Sequence, residues 1–180
     1  MNLNIPYMET DNKLLNDAYR IAAGDIVGNI VYYQNGLLTE EKPCMIAGLD
    51  YNTPWTRDTA INIWNALSIL SPEVSKNTLL AVLEEEEGNI YIGGQYWDSI
   101  IWMIGAREYC RFHKDDNFYR LAFEAGRNSV HRLEEDEFDE EDGLFRGPAV
   151  YGDGIAAYPD KYSKCPNQGL SLIHISEPTR

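Results

Sequence analysis

Three aspartates, each preceded within three residues by an aromatic, recur along a chain otherwise short of reactive side chains. Asp58 closes Trp55-Thr56-Arg57-Asp58, Asp98 closes Tyr96-Trp97-Asp98, and Asp153 closes Tyr151-Gly152-Asp153. Their separations, roughly 40 to 55 residues, suit one helix hairpin with its loops. A fixed carboxylate accepts hydrogen bonds, an arginine fork donates them in a plane, and an aromatic face takes up C–H groups. Brought together, these groups describe a cleft for a polyhydroxylated ring better than an anion site or an apolar pocket. Taken singly, each has a plainer role. Asp58 and Asp98 suit the first turn of a helix, Trp97 and Trp102 suit a core, and Asp153 suits a glycine-flanked turn.

Other chemistries find little support. The chain carries no Gly-x-Ser-x-Gly, no phosphate loop and no dinucleotide fingerprint. Cys44, Cys110 and Cys165 are too widely spaced for a metal pattern or a disulfide framework, which points to a reducing, cytoplasmic setting. His113 and His131 fall on helix surfaces and are expected to be solvated, so neither a metal nor a cofactor is expected. The formal charge of −14 disfavours nucleic acid and anionic membranes as partners. Much of it sits in two acidic runs, residues 84–87 and 134–142, which read as solvated helix ends and a loop. No apolar stretch reaches the ~20 residues of a membrane span, and Met1-Asn2-Leu3-Asn4-Ile5-Pro6 has neither a basic start nor an apolar core for a leader. A carbohydrate is the expected partner; nothing specifies an oligomeric state.

The elements that must position the aspartates read as helices throughout. Asp11 can cap a first helix with apolar positions from Leu14 to Val31 and a stop at Gly36, weakened by Gly24 and Gly28. After a loop, a second helix over residues 57–70 is apolar over much of its circumference and is expected to be buried. Its main face is Ala60, Ile63, Trp64, Leu67 and Leu70. Ser71-Pro72-Glu73 starts a half-exposed third helix that runs into the first acidic run. A fourth, over residues 96–113, is again apolar all round, and a fifth, capped by Asp115 or Asp116, is amphipathic. No strand pattern competes, apart from a short bridge at Ile90-Tyr91-Ile92. The alternation of part-exposed and buried helices favours an all-α, α/α toroid over a four-helix bundle. In such a ring the inner helices run the same way and their N-termini meet at one end of a cavity.

Residues 170–180, Leu-Ser-Leu-Ile-His-Ile-Ser-Glu-Pro-Thr-Arg, resemble the translation of a transposon adapter used in sequencing libraries. They are set apart as an artefact tail, His174 and Glu177 are not candidates for chemistry, and residues 1–169 are expected to be part of a longer protein.

Over residues 10–160 the chain resembles the six-hairpin glycosidases, the superfamily of glucoamylases, glycogen-debranching glucosidases and trehalases. Trp55-Thr56-Arg57-Asp58 is similar to the motif on that family's first inner helix, which implies that Arg57 and Asp58 hold hydroxyls of the reacting sugar. Gly94-Gln95-Tyr96-Trp97-Asp98 with Trp102 resembles the second inner helix, implying that Tyr96, Trp97 and Asp98 also line the cleft. Asp142-Gly143-Leu144 and then Tyr151-Gly152-Asp153 resemble the segment before the third, implying Asp153 as the general acid. Gly152 stands where debranching enzymes carry a larger residue, and no Glu-Glu pair follows Asp142-Gly143-Leu144, which keeps Asp142 as a competing acid. The resemblance implies about the first three hairpins of the toroid and an inverting hydrolysis. In that reaction an acid protonates the leaving oxygen and a base ~6.5–9.5 Å away activates water. The base, a late Glu, would lie beyond this sequence, so the 180-residue chain is expected to be inactive alone. Two alternatives stand beside the hydrolase: a disaccharide phosphorylase, with phosphate replacing the base, and a non-catalytic carbohydrate-binding helical domain.

Overall fold

A computed structural model describes residues 5–48, 50–94 and 97–145. The chain divides into two compact units, residues 1–128 and 129–180. In the first, α1 (Lys13–Gly28) leads into the strands β1 (Ile30–Tyr33) and β2 (Lys42–Met45). Next comes α2, residues 56–70, built from Thr56–Asn62, a π-helical stretch Ile63–Leu67 and Ser68–Leu70. Then follow α3 (Pro72–Ala81), β3 (Leu83–Glu86), β4 (Asn89–Ile92) and α4 (Asp98–Phe112). Helix α5 (Asp116–Glu137) gives residues 116–128 to the first unit and 129–137 to the second. The second unit also holds β5 (Phe138–Asp139) and β6 (Leu144–Phe145).

The all-α toroid is thus corrected to a mixed architecture: among the described residues, the antiparallel two-stranded hairpins β1–β2 and β3–β4 lie between helices and a third, β5–β6, follows α5. Each hairpin has a local cause. The first helix stops at Gly28 rather than Gly36. Asn29 folds back to donate from its side chain to Asp25 O, and the β-branched and aromatic run Ile30-Val31-Tyr32-Tyr33 pairs with residues 42–45. The acidic run 84–87 does not extend α3. Glu87 and Gly88 take φ of 51° and 79°, a two-residue hairpin turn with both central residues left-handed, and Glu84–Glu86 pair with Asn89–Tyr91. Asp139 Oδ1 accepts from Glu141 N and Asp142 N to turn the third hairpin, where Phe138 and Phe145 meet edge to face at 5.1 Å.

The core of the first unit lies between α2, α3, α4 and the start of α5. Ile63 and Leu67 from α2, Val74 and Leu79 from α3, and Trp102 and Ala106 from α4 are all essentially inaccessible. Phe118 from α5 closes one side. Helix α1 is capped by Asn12, whose side chain accepts from Leu14 N and Leu15 N, and it buries no residue.

Helices α2 and α4 run in the same direction. Arg57 meets Asp98 near their N-termini, Ala60 meets Gly105 further along, and Ser68 O meets His113 near their C-termini. The crossing is tight: a Cβ on Gly105 would lie 2.9 Å from Ala60 Cα and 3.0 Å from Ala60 O. Gly105→Val is therefore expected to cost roughly 1–3 kcal/mol by overpacking, read as a lowered urea midpoint. The far side of α2 differs from expectation. Ile61, Trp64 and Ile69 are 41%, 50% and 59% exposed, so Trp64 leaves the buried face to which its spacing assigned it.

At the opposite end from Arg57, Lys76 Nζ lies 2.6 Å from Asp115 Oδ2, and Asp115 Oδ1 caps α5 by accepting from Phe118 N. Lys76, and after it the Phe118 amide, hold the Asp115 carboxyl below its ordinary range. The contribution to stability is complete above the unfolded value of about 4 and is lost as pH falls through the depressed folded value. Lys76→Met is expected to flatten this acid limb, as measured by denaturation midpoints across the acidic range.

Candidate functional site

Loop residues 46–55 bring the chain to the N-terminus of α2. Trp55 precedes the helix in extended backbone and makes no side-chain cap; its carbonyl accepts from Thr59 N at 2.8 Å. Asp58 lies half-buried in the first turn, where a carboxylate is favoured by the helix dipole. Arg57 stands against that preference, since a cation at a helix N-terminus is disfavoured by ~0.3–1 kcal/mol. What holds it is Asp98, in the first turn of α4: Arg57 Nε to Asp98 Oδ1 is 3.1 Å, with the side chains 22% and 6% exposed. The guanidinium's two terminal nitrogens make no hydrogen bond among the described residues. They remain available as a planar pair of donors.

The same corner is closed by two hairpin-end glycines. Thr56 Oγ1 donates to Gly93 O at 2.8 Å. Gly94 has φ +116°, and a Cβ there would sit 2.8 Å from Thr56 Oγ1 and 2.9 Å from Asp98 Oδ2. Only glycine can let the chain pass between Thr56 and Asp98. Trp55 lies outside this knot, 39% exposed, with Tyr51 edge-on at 6.2 Å.

Beside Trp55 opens a cleft of about 340 Å³, walled by Asn35, Thr53, Pro54, Trp55, Glu84 and Gly93 among others; neither Arg57 nor Asp98 lines it. Asn35 comes from the β1–β2 turn and Glu84 from β3. Neither was singled out by the sequence, because their distance along the chain from Trp55 leaves no local signal. The Gly93-Gly94 pair directly before the Tyr96-Trp97-Asp98 motif was the available clue.

Of the sequence-derived candidates, Trp55, Arg57, Asp58 and Asp98 are gathered at this corner of the first unit. Trp97 is 5% exposed and belongs to the interior. Tyr96 and Asp153, with Tyr151 and Gly152, lie outside the described residues, as does the tail 170–180. Asp142 is exposed in the turn between β5 and β6, in the second unit. His113, expected to be solvated, is half-buried, with its ring 5.0 Å from Tyr109 and Nε2 at Ser68 O. His131 is exposed beside Glu134.

Thiol chemistry is disfavoured at the two described cysteines: burial pushes the Cys44 thiol up to about 12 and raises that of Cys110, so both stay protonated near neutrality. Among the described residues no cluster of His, Cys, Asp and Glu could hold a metal ion. No helix there is long and apolar enough to cross a membrane. Compared with family models, with curated proteins and with solved structures, the chain matches none.

Proposed function

We propose that this chain is the sugar-gripping part of a glycoside hydrolase acting on a glucoside or oligosaccharide. The observation that carries the reading is the Arg57–Asp98 pair: a half-buried guanidinium fixed through Nε, its terminal nitrogens without a hydrogen bond among the described residues, near the N-termini of two parallel helices. An arginine kept where the helix dipole disfavours it needs a reason beyond capping. A ligand with adjacent hydroxyls supplies one, since it can accept from both guanidinium nitrogens while donating to Asp58 or Asp98. The exposed indole of Trp55 offers the apolar plate that sugars use and anions do not.

In this reading Arg57, Asp58 and Asp98 orient one sugar; Asp153, the general acid that the resemblance implies, lies outside the described residues. The direct test is titration of the 180-residue chain with glucose, maltose and cellobiose, followed by tryptophan fluorescence and calorimetry. A saturable signal with at least one of them is expected. The absence of any saturable signal, with the chain shown to be folded by circular dichroism, would overturn the reading.

A further inference from the structure

The grip at Arg57 leaves the cleft on the other side of Trp55 unused. Its chemistry is distinct. Asn35 Nδ2 donates one hydrogen to Ala81 O at 3.2 Å, which leaves the amide a carbonyl acceptor and one further N–H. Glu84 presents a carboxylate on an exposed strand position and lies close over Gly93, where a Cβ would come within 2.5 Å of Glu84 Oε1. No Lys, Arg or His is among the lining residues. The cleft thus brings a carboxylate acceptor, an amide and two threonine hydroxyls to the same lining as an indole, in a chain of formal charge −14. Among the described lining residues, the Glu84 carboxylate disfavours an anionic ligand by charge. A ligand with a C–H face and several donating hydroxyls is complementary, and the volume stands near the lower end of the range for small-molecule sites.

We propose that this cleft is a second sugar subsite. Trp55 stacks on one ring there, and Glu84 and the Asn35 carbonyl accept from its hydroxyls, so the protein takes a ligand of at least two linked sugars. The inference rests on the carbohydrate reading above and adds to it a minimum ligand length and two residues that the helix-end motifs do not contain. Thr56 and Gly93–Gly94 separate the subsites: Thr56 Oγ1 is bonded to Gly93 O, and Gly94 packs between Thr56 and Asp98. A disaccharide must therefore pass over this wall, with Trp55 at its edge.

The test compares glucose with maltose and cellobiose on the wild-type chain and on Glu84→Ala. At least one disaccharide should bind about tenfold or more tighter than glucose, and Glu84→Ala should remove about tenfold of that gain while leaving glucose affinity unchanged. Glu84 is exposed, so the variant should keep the wild-type thermal midpoint. Amide chemical shifts give a second readout: Asn35 and Gly93 should respond to the disaccharide and not to glucose. Equal affinity for glucose and both disaccharides, or a Glu84→Ala variant that binds disaccharide as the wild type does, would overturn the second subsite and leave the Arg57 grip standing. Absence of binding to all three sugars would sink the carbohydrate reading itself and the subsite with it.

Discussion

Replacing Arg57 with Ala is expected to abolish measurable sugar binding and to cost the fold about 1–3 kcal/mol as well. Both effects have one origin. Asp98 is 6% exposed, and Arg57 Nε is one of its partners at 3.1 Å. Removing a partner from a fully buried pair typically costs ~3–5 kcal/mol. Here Arg57 is itself partly solvated and Asp98 has further contacts, which places the cost lower. Binding should suffer more, because the donors that face a ligand disappear together with the order they impose on Asp98. Arg57→Lys separates the two contributions. An ammonium keeps the charge beside Asp98 but has no planar fork. It is expected to retain most of the urea midpoint and to lose tenfold or more in affinity. A wild-type affinity in Arg57→Ala would remove the corner from consideration as a sugar site.

Trp102→Ala carries the largest expected loss of stability, about 3–5 kcal/mol. Trp102 is inaccessible to solvent, donates from Nε1 to Leu79 O at 3.3 Å and packs at 6.4 Å from the Phe118 ring. Truncation opens a cavity at the meeting point of α3, α4 and α5 and leaves a buried carbonyl without its donor. Domains of this size have only ~5–15 kcal/mol in reserve, so the variant should show a much lower denaturation midpoint and a fraction already unfolded in buffer. Trp102→Phe keeps an aromatic ring and loses the N–H, and its midpoint should fall between the two. An unchanged midpoint in Trp102→Ala would mean that the interface between these helices does not hold the unit together.

The helix starts were the legible part of the fold. Ser71-Pro72-Glu73 marks the beginning of α3, and Asp115 caps α5, because these signals act within one turn of the chain. Of the strands only β4 was foreshadowed, by the short bridge at Ile90-Tyr91-Ile92, and β3 shows why the others were not. It buries Leu83 alone and exposes the following three glutamates, so no alternation distinguishes it from a solvated helix end. Its strand state depends on pairing with Asn89–Ile92 and on the left-handed backbone at Glu87-Gly88. The overrun of α1 has the same origin, since Ile30 and Val31 continue an apolar pattern that strand pairing then claims. At the site, the aromatic, arginine and carboxylate of Trp55-Thr56-Arg57-Asp58 were legible together as groups for a cleft. That Arg57 would find Asp98, 41 residues later, could be suggested by the recurring motif and not by any local rule. Asn35 and Glu84 enter only through the tertiary arrangement, which no periodicity encodes.

The wall formed by Thr56 and Gly93-Gly94 has a thermodynamic consequence. Thr56 belongs to the same helical turn as Arg57, and Gly94 packs so closely between Thr56 and Asp98 that even an added Cβ would lie 2.8–2.9 Å from them. A ring seated against Trp55 and one held by Arg57 thus press on two faces of one rigid partition. A partition with a single arrangement gives one occupant nothing to change for the other, so the two contributions are expected to add, and any coupling factor that did appear would have to be equal in both directions. A double-mutant cycle between Glu84→Ala and Arg57→Lys, which keeps measurable affinity, should therefore give losses of disaccharide affinity that add.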